Sequence, residues 1–161
     1  MSVTIRAAAA ADARQVFDLV RELADYERLT HEVDATTERL AAALFSERPS
    51  LFCDVAEWNG EVAGFAMWFL NFSSFRGRHG VYLEDLFVRP AFRGRGIGKV
   101  LMRNLARRCV ERGYARFEWT VLDWNTPAID FYRGIGAELM DQWRVCRMTG
   151  DALVQFAGGE R

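Results

Sequence analysis

Three glycines stand among three cationic residues in "RGRGIGK", the run from Arg93 to Lys99, directly before a stretch that predicts an amphipathic helix. The first amides of a helix have no intrahelical partner, and the helix dipole is positive at that end. Glycine lets an anion approach such a backbone without meeting a Cβ, and Arg93 and Arg95 add cationic donors. We interpret the run as a cradle for a pyrophosphate.

Two well-known phosphate-binding loops do not match this run. The dinucleotide fingerprint places its glycines in the order GxGxxG, whereas "GRGIGK" gives GxGxG. The P-loop requires four residues between its glycines before GK[ST], and this sequence does not have that spacing either. A glycine-rich turn that only joins a strand to a helix is the structural alternative, so the neighbouring segments must decide between the two.

The segments on either side of the run predict a strand, a helix and a second strand. "GVYLEDLFV" reads as a strand that ends at Pro90, which lacks the amide needed to continue a ladder. One apolar stripe predicts a helix from about Gly96 to Arg112, with Gly113 at its end. "ARFEWTVL" follows as a strand, so the two strands are expected to be parallel neighbours joined by a right-handed crossover.

The first sixty residues predict a strand, a helix and a hairpin. Val3 to Arg6 alternates like a short strand, and apolar residues at helical spacing follow from Asp12. Asn59 and Gly60 lie between two β-rich runs, and this pair tolerates the positive φ angles of a tight hairpin turn. The chain therefore opens with a strand and an amphipathic helix, and an antiparallel hairpin follows.

Capping residues predict two further helices. Thr36 or Thr37 can cap a short helix through Arg39 to Phe45. "NTPAIDFYRGIG" reads as another short helix, with Asn125 as its cap and a proline in its first turn. A last strand is expected near Gln142 to Met148, where it would close the sheet.

Composition favours one domain of residues 1–161 and excludes several classes of partner. A chain of 161 residues, 50% of them hydrophobic, can bury a single core. The net charge of -1 gives no overall positive field for nucleic acid or anionic lipid, and no apolar run is long enough for a membrane helix. Cys53, Cys109 and Cys146 are widely spaced and odd in number, which favours reduced thiols over disulfides or zinc. We expect a cytoplasmic protein without a secretory signal, a metal, or a nucleic-acid or membrane partner.

The run from Val88 to Met102, "VRPAFRGRGIGKVLM", resembles motif A of the GNAT acyltransferases, R/Q-x-x-G-x-G/A. Arg93, Gly96 and Gly98 fill the defined positions of that motif. The agreement continues in "VYLEDLFV", in "WNTPAIDFY" and in the opening "IRAAAAADARQVFDLVRELADYE". Together these segments cover most of the chain and are most similar to the diamine (spermidine/spermine) acetyltransferase branch of the family.

The resemblance implies an α/β (α+β) fold of one domain. Its central sheet is mixed, mostly antiparallel, flanked by helices, and splayed open between two parallel strands, Val81 to Val88 and Arg116 to Leu122. In this family acetyl-coenzyme A enters the opening, with its pantetheine arm on the backbone of the first strand and its pyrophosphate on the glycine run. The implied cofactor-binding residues are Leu86, Phe87, Val88, Arg93, Gly94, Arg95, Gly96, Ile97, Gly98, Lys99, Asn125, Pro127 and Ala128.

Acetyl transfer to an amine requires two proton movements. An alkyl amine with a pKa of about 10.4 is mostly protonated at neutral pH, so it attacks only after a carboxylate has accepted its proton, directly or through water. The leaving thiolate needs a proton, which a tyrosine hydroxyl can give. By resemblance, Tyr132 in "DFY" is the general acid, and Glu84 contacts the substrate amine and helps to deprotonate it. The structural alternatives are a packed helix aromatic and a solvated strand residue.

Three other residues match substrate-side positions by resemblance. Tyr26 and Glu27 correspond to an early substrate-contacting pair and Glu118 to a position on a later strand; the alternatives are the polar face of an amphipathic helix and an ordinary exposed glutamate. Asp85 lies on the more apolar face of its strand, where a buried carboxylate needs a hydrogen-bonded or cationic partner, so its role is either in substrate binding or structural. Strand alternation places Asp85 and Glu84 on opposite faces, so both acids can serve one pocket only if a bulge intervenes. On regular alternation Tyr82 and Leu86 share the face of Glu84, and Leu83 and Phe87 share that of Asp85.

Cationic residues near these acids leave the substrate open between a polyamine and an amino acid. A polyamine requires several carboxylates, one for each buried ammonium group. Cations that face the pocket would repel it, yet they could bind the carboxylate of an amino-acid-like amine. Cations that are only solvated decide nothing. The residues concerned are Arg28, His31, Arg76, Arg78 and His79.

The sequence therefore predicts an acetyl-coenzyme A-dependent N-acetyltransferase. Its substrate is a primary amine of a small molecule, either a polyamine or diamine or a lysine-like amino acid such as thialysine, which attacks directly in a ternary complex. The alternatives are a protein or peptide N-acetyltransferase and a non-catalytic module that binds acetyl-coenzyme A. The joint presence of a pocket acid and Tyr132 favours the enzyme, and by resemblance we expect a homodimer.

Overall fold

Five strands form one sheet in the order β1-β2-β3-β4-β5 in the computed structural model, which describes residues 2–159. The first four strands pair antiparallel with their neighbours, and β5 pairs parallel with β4. This confirms the mixed, mostly antiparallel sheet. The strands are β1 (Val3–Ala7), β2 (Phe52–Trp58), β3 (Glu61–Ser73), β4 (Arg78–Val88) and β5 (Phe117–Trp119).

Five helices lie between and after the strands along the described part of the chain. The described residues form α1 (Ala13–Tyr26), α2 (Thr37–Phe45), α3 (Ile97–Arg112), α4 (Thr126–Gly134) and α5 (Gly150–Phe156), with short 3-10 turns at Ala10–Asp12, Thr30–Glu32 and Pro90–Phe92. The chain divides into two compact units, Met1–Leu122 and Asp123–Arg161. The first unit contains the whole sheet with α1, α2 and α3, and the second contains α4 and α5.

The local signals at the element ends are confirmed. Asn59 and Gly60 have φ angles of 52° and 86° and join β2 to β3. The Thr36 hydroxyl accepts a hydrogen bond from the Arg39 amide at 3.2 Å and caps α2. Gly113, with a φ of 65°, ends α3. These turns and caps determine where the elements stop.

Each face of the sheet packs against different helices. On one face, buried residues of α1 and α2 form a core with Phe65, Met67 and Phe87 of the sheet. On the other face, the Asn104 amide of α3 and the Trp68 indole both donate to the Asp54 carboxylate, each at 3.2 Å. We call these the α1 face and the α3 face.

A β-bulge at Glu84 changes which residues of β4 share a face. Asp85 pairs with Met67 and Leu83 pairs with Trp68, so Glu84 is the extra residue of the bulge. Because paired residues share a face, Asp85 lies on the α1 face and Leu83 on the α3 face. The expectation that Leu83, Asp85 and Phe87 share one face is therefore wrong, since the inserted residue reverses the alternation.

The sheet opens where β5 ends. The parallel ladder joins Val81–Leu83 to Phe117–Trp119 and continues no further, although β4 runs on to Val88. This short ladder confirms the splayed sheet, and it makes β5 shorter than the strand expected from "ARFEWTVL". Beyond Leu83, β4 keeps a ladder partner only on its β3 side within the part of the chain that the structure describes.

The strand expected near Gln142 to Met148 is wrong. Residues 143–149 have no regular secondary structure, and every residue from 141 to 159 is exposed. A strand requires a neighbour to satisfy its amides and carbonyls, and no strand in the described residues pairs with this segment. The helix before it is confirmed: the Asn125 side chain accepts from the Ala128 amide at 3.4 Å and caps α4.

Candidate active site

The glycine-rich turn presents free backbone amides at the start of α3. Gly94 and Gly96 have φ angles of 75° and 76°, the left-handed region that glycine adopts without strain. The first α-helical bond runs from the Val100 amide to the Gly96 carbonyl, so the amides of Ile97, Gly98 and Lys99 have no intrahelical acceptor. A Cβ placed on Gly94 or Gly96 would meet no atom within 4 Å, so the space beside them is open.

Two arginines of this turn lie against aromatic rings. The Arg93 guanidinium is 4.8 Å from the centre of the Tyr26 ring and 5.6 Å from that of Phe87. The Arg95 guanidinium is 5.0 Å from the Trp58 ring. Neither forms an ion pair with a carboxylate of the described residues. Both therefore keep a positive charge that an anion can use.

Arg89, just before this turn, has a structural role instead. Its guanidinium bonds the Glu22 carboxylate of α1 at 2.8 Å and the Val62 carbonyl at 3.0 Å. The bond to Glu22 raises the pKa of Arg89 above its ordinary value. This pair joins α1 to the sheet beside the turn, and it separates Arg89 from the two arginines that remain available.

The open edge of β4 carries backbone groups beside the glycine-rich turn. The Arg89 amide donates to the Ala63 carbonyl of β3 at 2.9 Å, and Phe87 pairs with Phe65. Backbone groups alternate in direction along a strand, so those of Leu86 and Val88 point away from β3, toward the side that β5 does not cover. The Val88 carbonyl accepts a bond from Arg93 Nε at 2.9 Å. The Phe87 side chain is part of the core, and its backbone groups face β3, so Leu86 and Val88 are the residues that present backbone groups at this open edge.

Glu84 and Glu27 both lie within electrostatic reach of Asp85 at the bulge. Burial, together with the charges of Glu84 and Glu27, raises the pKa of Asp85 to about 7. Burial also raises the pKa of Glu27, the residue that ends α1. Glu84 is exposed. The bulge therefore brings Glu84 and Asp85 together with Glu27, and this group of acids can receive a cationic amine and accept its proton.

A shallow depression adjoins Arg93 on the α1 face. It has a volume of about 250 Å³, and Tyr26 belongs to its lining. The carboxylates that line it come from α1, and apolar side chains at the end of β4 line the rest. The other lining residues are Glu22, Asp25, Phe87, Pro90 and Arg93.

Glu118 does not join the three carboxylates at the bulge. It lies on the α1 face opposite Tyr82, where its carboxylate accepts from the Asn71 amide and from Arg116 Nε, each at 2.8 Å. The sequence interpretation missed Arg116 and Asn71. Arg116 stands two residues before Glu118 in a strand, and that spacing alone places both on one face.

The loop cations are spread over different surfaces. The His79 ring contacts the rings of Phe72 and Tyr114, at 5.1 and 6.2 Å between centroids. His79 pairs with Phe72, and the alternation of β3 assigns both to the α3 face, away from Asp85. His31 is exposed and lies 3.5 Å from Glu32. Arg76 and Arg78 are exposed at the β3–β4 hairpin.

The second unit holds the proposed general acid. Tyr132 lies on α4, is half-buried, and its ring is 5.4 Å from that of Phe131. Asn125 is buried, with 6% of its surface exposed, and Pro127 lies in the first turn of α4. The cap and the proline determine where α4 begins, and they thereby set the position of Tyr132 within its own unit.

Residues 2–159 contain no group of three or more His, Cys, Asp or Glu side chains placed to hold a metal ion. None of their helices combines the length and the apolar character needed to cross a membrane.

Known proteins resemble this chain along nearly all of its length. The acetyltransferase (GNAT) family model matches residues 13–142. A thialysine N-epsilon-acetyltransferase of Bos taurus is 36% identical over 97% of this chain and 98% of that protein. The L-ornithine N5-acetyltransferase NATA1 of Arabidopsis thaliana is 33% identical over 92% of this chain and 85% of that protein. A spermidine/spermine N(1)-acetyltransferase-like protein of Homo sapiens is 29% identical over 97% of this chain, which spans 24% of that protein.

The fold is also that of a solved structure. The integron cassette protein VCH_CASS6, from the mobile metagenome of V. cholerae, superposes with a TM-score of 0.81. It is 30% identical, and the similarity covers 98% of each chain.

Proposed function

This chain belongs to the GNAT family of acetyltransferases, and we propose that it transfers the acetyl group of acetyl-coenzyme A to a primary amine of a small molecule. The observation that carries the proposal is the position of the bulge acids on β4, on the same strand as the open backbone edge and directly before the glycine-rich turn. One strand thus connects a candidate amine site to a candidate cofactor site.

The chain has the groups that acetyl-coenzyme A requires. The open glycine backbone and the free amides of Ile97, Gly98 and Lys99 suit a diphosphate, with Arg93 and Arg95 as donors. The outward backbone groups of Leu86 and Val88 suit the amide-containing pantetheine arm. The cosubstrate supplies an activated acetyl thioester. By resemblance, Asn125, Pro127 and Ala128 contact it from the second unit.

The bulge acids receive and deprotonate the amine in this proposal. Glu84 is exposed and meets the ammonium group, while Asp85, with a pKa of about 7, holds or releases a proton near neutral pH. Glu27 and Tyr26 line the same region from the end of α1. By resemblance, Tyr132 gives a proton to the departing thiolate.

An assay of thiol release with a panel of amines tests this function. We expect release of coenzyme A with at least one diamine or lysine-like amino acid, and tight binding of acetyl-coenzyme A by calorimetry. Tight binding without release for any amine would favour a non-catalytic module. Release only with peptides would favour a protein acetyltransferase.

We also propose that residues 1–161 act as one domain, in the cytoplasm, and as a homodimer. The family match covers residues 13–142 and so includes part of both compact units. All three cysteines are free, which suits a reducing compartment. Large apolar side chains of the C-terminal segment are exposed, Trp143 by 72% and Phe156 by 82%, and such surface suits an interface. Sedimentation of a monomer at micromolar concentration would refute the homodimer.

A further inference from the structure

A second polar cluster lies on the α1 face, closer to the start of β4 than the bulge acids are. Arg116, which directly precedes β5, and Glu118 of β5 form an ion pair of 2.8 Å, with 39% and 43% of their side chains exposed. Asn71 of β3 reaches the same Glu118 oxygen at 2.8 Å. We call Asn71, Arg116 and Glu118 the polar triad. Its charges are open to solvent and to a ligand.

The triad exists because Gly80 has no side chain. Gly80 lies on β4 between Asn71 and Arg116, which come from the strands on its two sides. A Cβ on Gly80 would lie 2.6 Å from Asn71 Oδ1 and 2.8 Å from Arg116 Cγ, closer than atoms can pack. The missing side chain lets residues of β3 and β5 meet over β4.

The triad has hydrogen-bonding capacity that its own members do not use. A guanidinium carries five N–H donors. Arg116 uses Nε for Glu118 and donates from one terminal nitrogen to the Phe72 carbonyl at 3.4 Å. Its remaining donors suit a carboxylate, and Glu118 retains an oxygen that suits an ammonium group. The pair therefore presents both charges that the head of an α-amino acid requires.

The distance between the polar triad and the bulge acids matches the length of a lysine-like side chain. Glu118 is level with Tyr82, and Asp85 follows three residues later. At about 3.3 Å per strand residue this distance is roughly 10 Å, or less across the bulge. Five bonds of ~1.5 Å join the α-carbon to the terminal amine, and tetrahedral bond angles reduce the extended end-to-end distance to about 6 Å, so the protein side chains cover the remainder.

Two aromatic rings lie between the sites. Phe69 and Tyr82 pair across β3 and β4 with their ring centroids 5.0 Å apart, and both are half-buried on the α1 face. Their surfaces suit the methylene or thioether stem of such a substrate. Along the α1 face the bulge acids are therefore followed by two aromatic rings and then by a charged pair that can bind a zwitterion.

From this arrangement we infer that Arg116 and Glu118 select α-amino acids with a terminal amine. Arg116 binds the α-carboxylate, Glu118 binds the α-ammonium group, and Asn71 orients Glu118. The inference rests on the proposed acetyl transfer and adds a second contact region to it. A diamine has no carboxylate for Arg116 to bind, and the positive charge of Arg116 repels its second ammonium group. A diamine is therefore the poorer substrate.

Three probes separate these contacts. Thialysine carries both α-groups, bis(2-aminoethyl) sulfide lacks the α-carboxylate, and 3-(2-aminoethylthio)propanoic acid lacks the α-ammonium group. For the wild-type protein we expect kcat/KM to be about 10- to 100-fold higher for thialysine than for bis(2-aminoethyl) sulfide, which is the effect of one or two hydrogen bonds to a charged group. Equal values for these two probes would overturn the inference.

Arg116→Gln should remove that preference. Its kcat/KM for thialysine should fall about 10- to 100-fold, with a change of no more than about twofold for bis(2-aminoethyl) sulfide. For the wild-type protein we also expect a higher kcat/KM for thialysine than for the propanoic acid, and Glu118→Gln should remove that difference. Arg14→Gln, which breaks an exposed pair with Asp18, is the control and should leave all three values unchanged.

Each outcome distinguishes the inference from the proposed function. An equal loss for all probes in Arg116→Gln would make Arg116 structural and overturn the inference alone. Wild-type protein that acetylates none of the three probes would overturn the inference, and failure across the wider amine panel would overturn the proposed function as well. If Arg116→Gln does not fold, as judged by its thermal transition, the comparison of the three probes on the wild-type protein and on Arg116→Lys decides.

Discussion

The Arg93 guanidinium lies 4.8 Å from the centre of the Tyr26 ring, so a residue of the glycine-rich turn rests on the last residue of α1. Tyr26 adjoins Glu27, whose charge acts on Asp85. The contact therefore joins the candidate cofactor site to the candidate amine site. It also holds the Arg93 charge beside the open edge of β4, where its Nε bonds the Val88 carbonyl.

Replacing Tyr26 by leucine should weaken the binding of coenzyme A. The ring attracts the guanidinium by a cation–π interaction of about 0.5–1 kcal/mol at an exposed site, so the dissociation constant should rise about two- to fivefold. Tyr26→Phe keeps the ring and should bind almost as the wild type does. Calorimetry with coenzyme A measures both. Equal weakening in the two variants would assign the effect to the hydroxyl and not to the ring.

A methyl group on Gly96 should disturb the cradle through the backbone. Alanine at a left-handed position costs about 1–2 kcal/mol, so Gly96→Ala should lower stability and shift the first amides of α3 away from the anion. We expect the dissociation constant of coenzyme A to rise by about tenfold, the effect of losing one charge-assisted bond. Calorimetry and thermal unfolding measure the two effects.

Gly77→Ala is the matched control for Gly96→Ala. Gly77 has a φ of 62° in the β3–β4 hairpin, and a Cβ there also meets no atom within 4 Å. It should lose a similar amount of stability while keeping its affinity for coenzyme A. A parallel loss of affinity in both variants would mean that destabilisation, and not the cradle, explains the result.

Local chemistry made the ends of most strands and helices predictable. The Asn59-Gly60 turn, the Thr36 cap and Gly113 each act within a few residues, so their effects can be read from the sequence. The C-terminal strand was different, because alternation between Gln142 and Met148 shows a pattern without showing a ladder partner. Pairing is a long-range property, and the described structure provides no partner for that segment.

The candidate site was less predictable than the fold. The glycine-rich turn could be predicted as an anion site because its glycines, its arginines and the start of the helix all lie within one run of sequence. The face of the sheet on which Asp85 lies could not be predicted, since the bulge at Glu84 arises from the register between β3 and β4. The contact of Asn71 with Glu118 spans three strands and depends on the empty position at Gly80. No short sequence window contains all of these residues.

Removal of the Tyr132 hydroxyl should slow turnover without weakening cofactor binding. If this hydroxyl is the general acid, Tyr132→Phe should lower kcat by about 10²- to 10⁴-fold, the usual contribution of such a group. The ring packing with Phe131 remains, so the fold should be kept. Tyr114→Phe, on a tyrosine whose ring contacts His79, is the control. Unchanged kcat in Tyr132→Phe would remove this residue from the mechanism.

The Asp85 carboxyl should make the protein less stable as the pH rises. Burial raises its pKa from 3.8 to about 7 in the folded state, so between about pH 4 and pH 7 the folded state holds a proton that the unfolded state has lost. The free energy of unfolding should therefore fall across this window, by at most about 1.4 kcal/mol per pH unit for this one group. Above pH 7 the loss is complete and the contribution is flat.

Asp85→Asn isolates this contribution, because it keeps the shape of the side chain and removes the titration. Denaturant unfolding at several pH values should give a variant with a weaker fall between pH 4 and pH 7 and a higher stability than the wild type at pH 8. Glu27, whose pKa is also raised by burial, accounts for part of the fall that remains in the variant. Parallel stability curves for the two proteins would show that Asp85 has the same pKa in the folded and unfolded states, and would contradict this prediction.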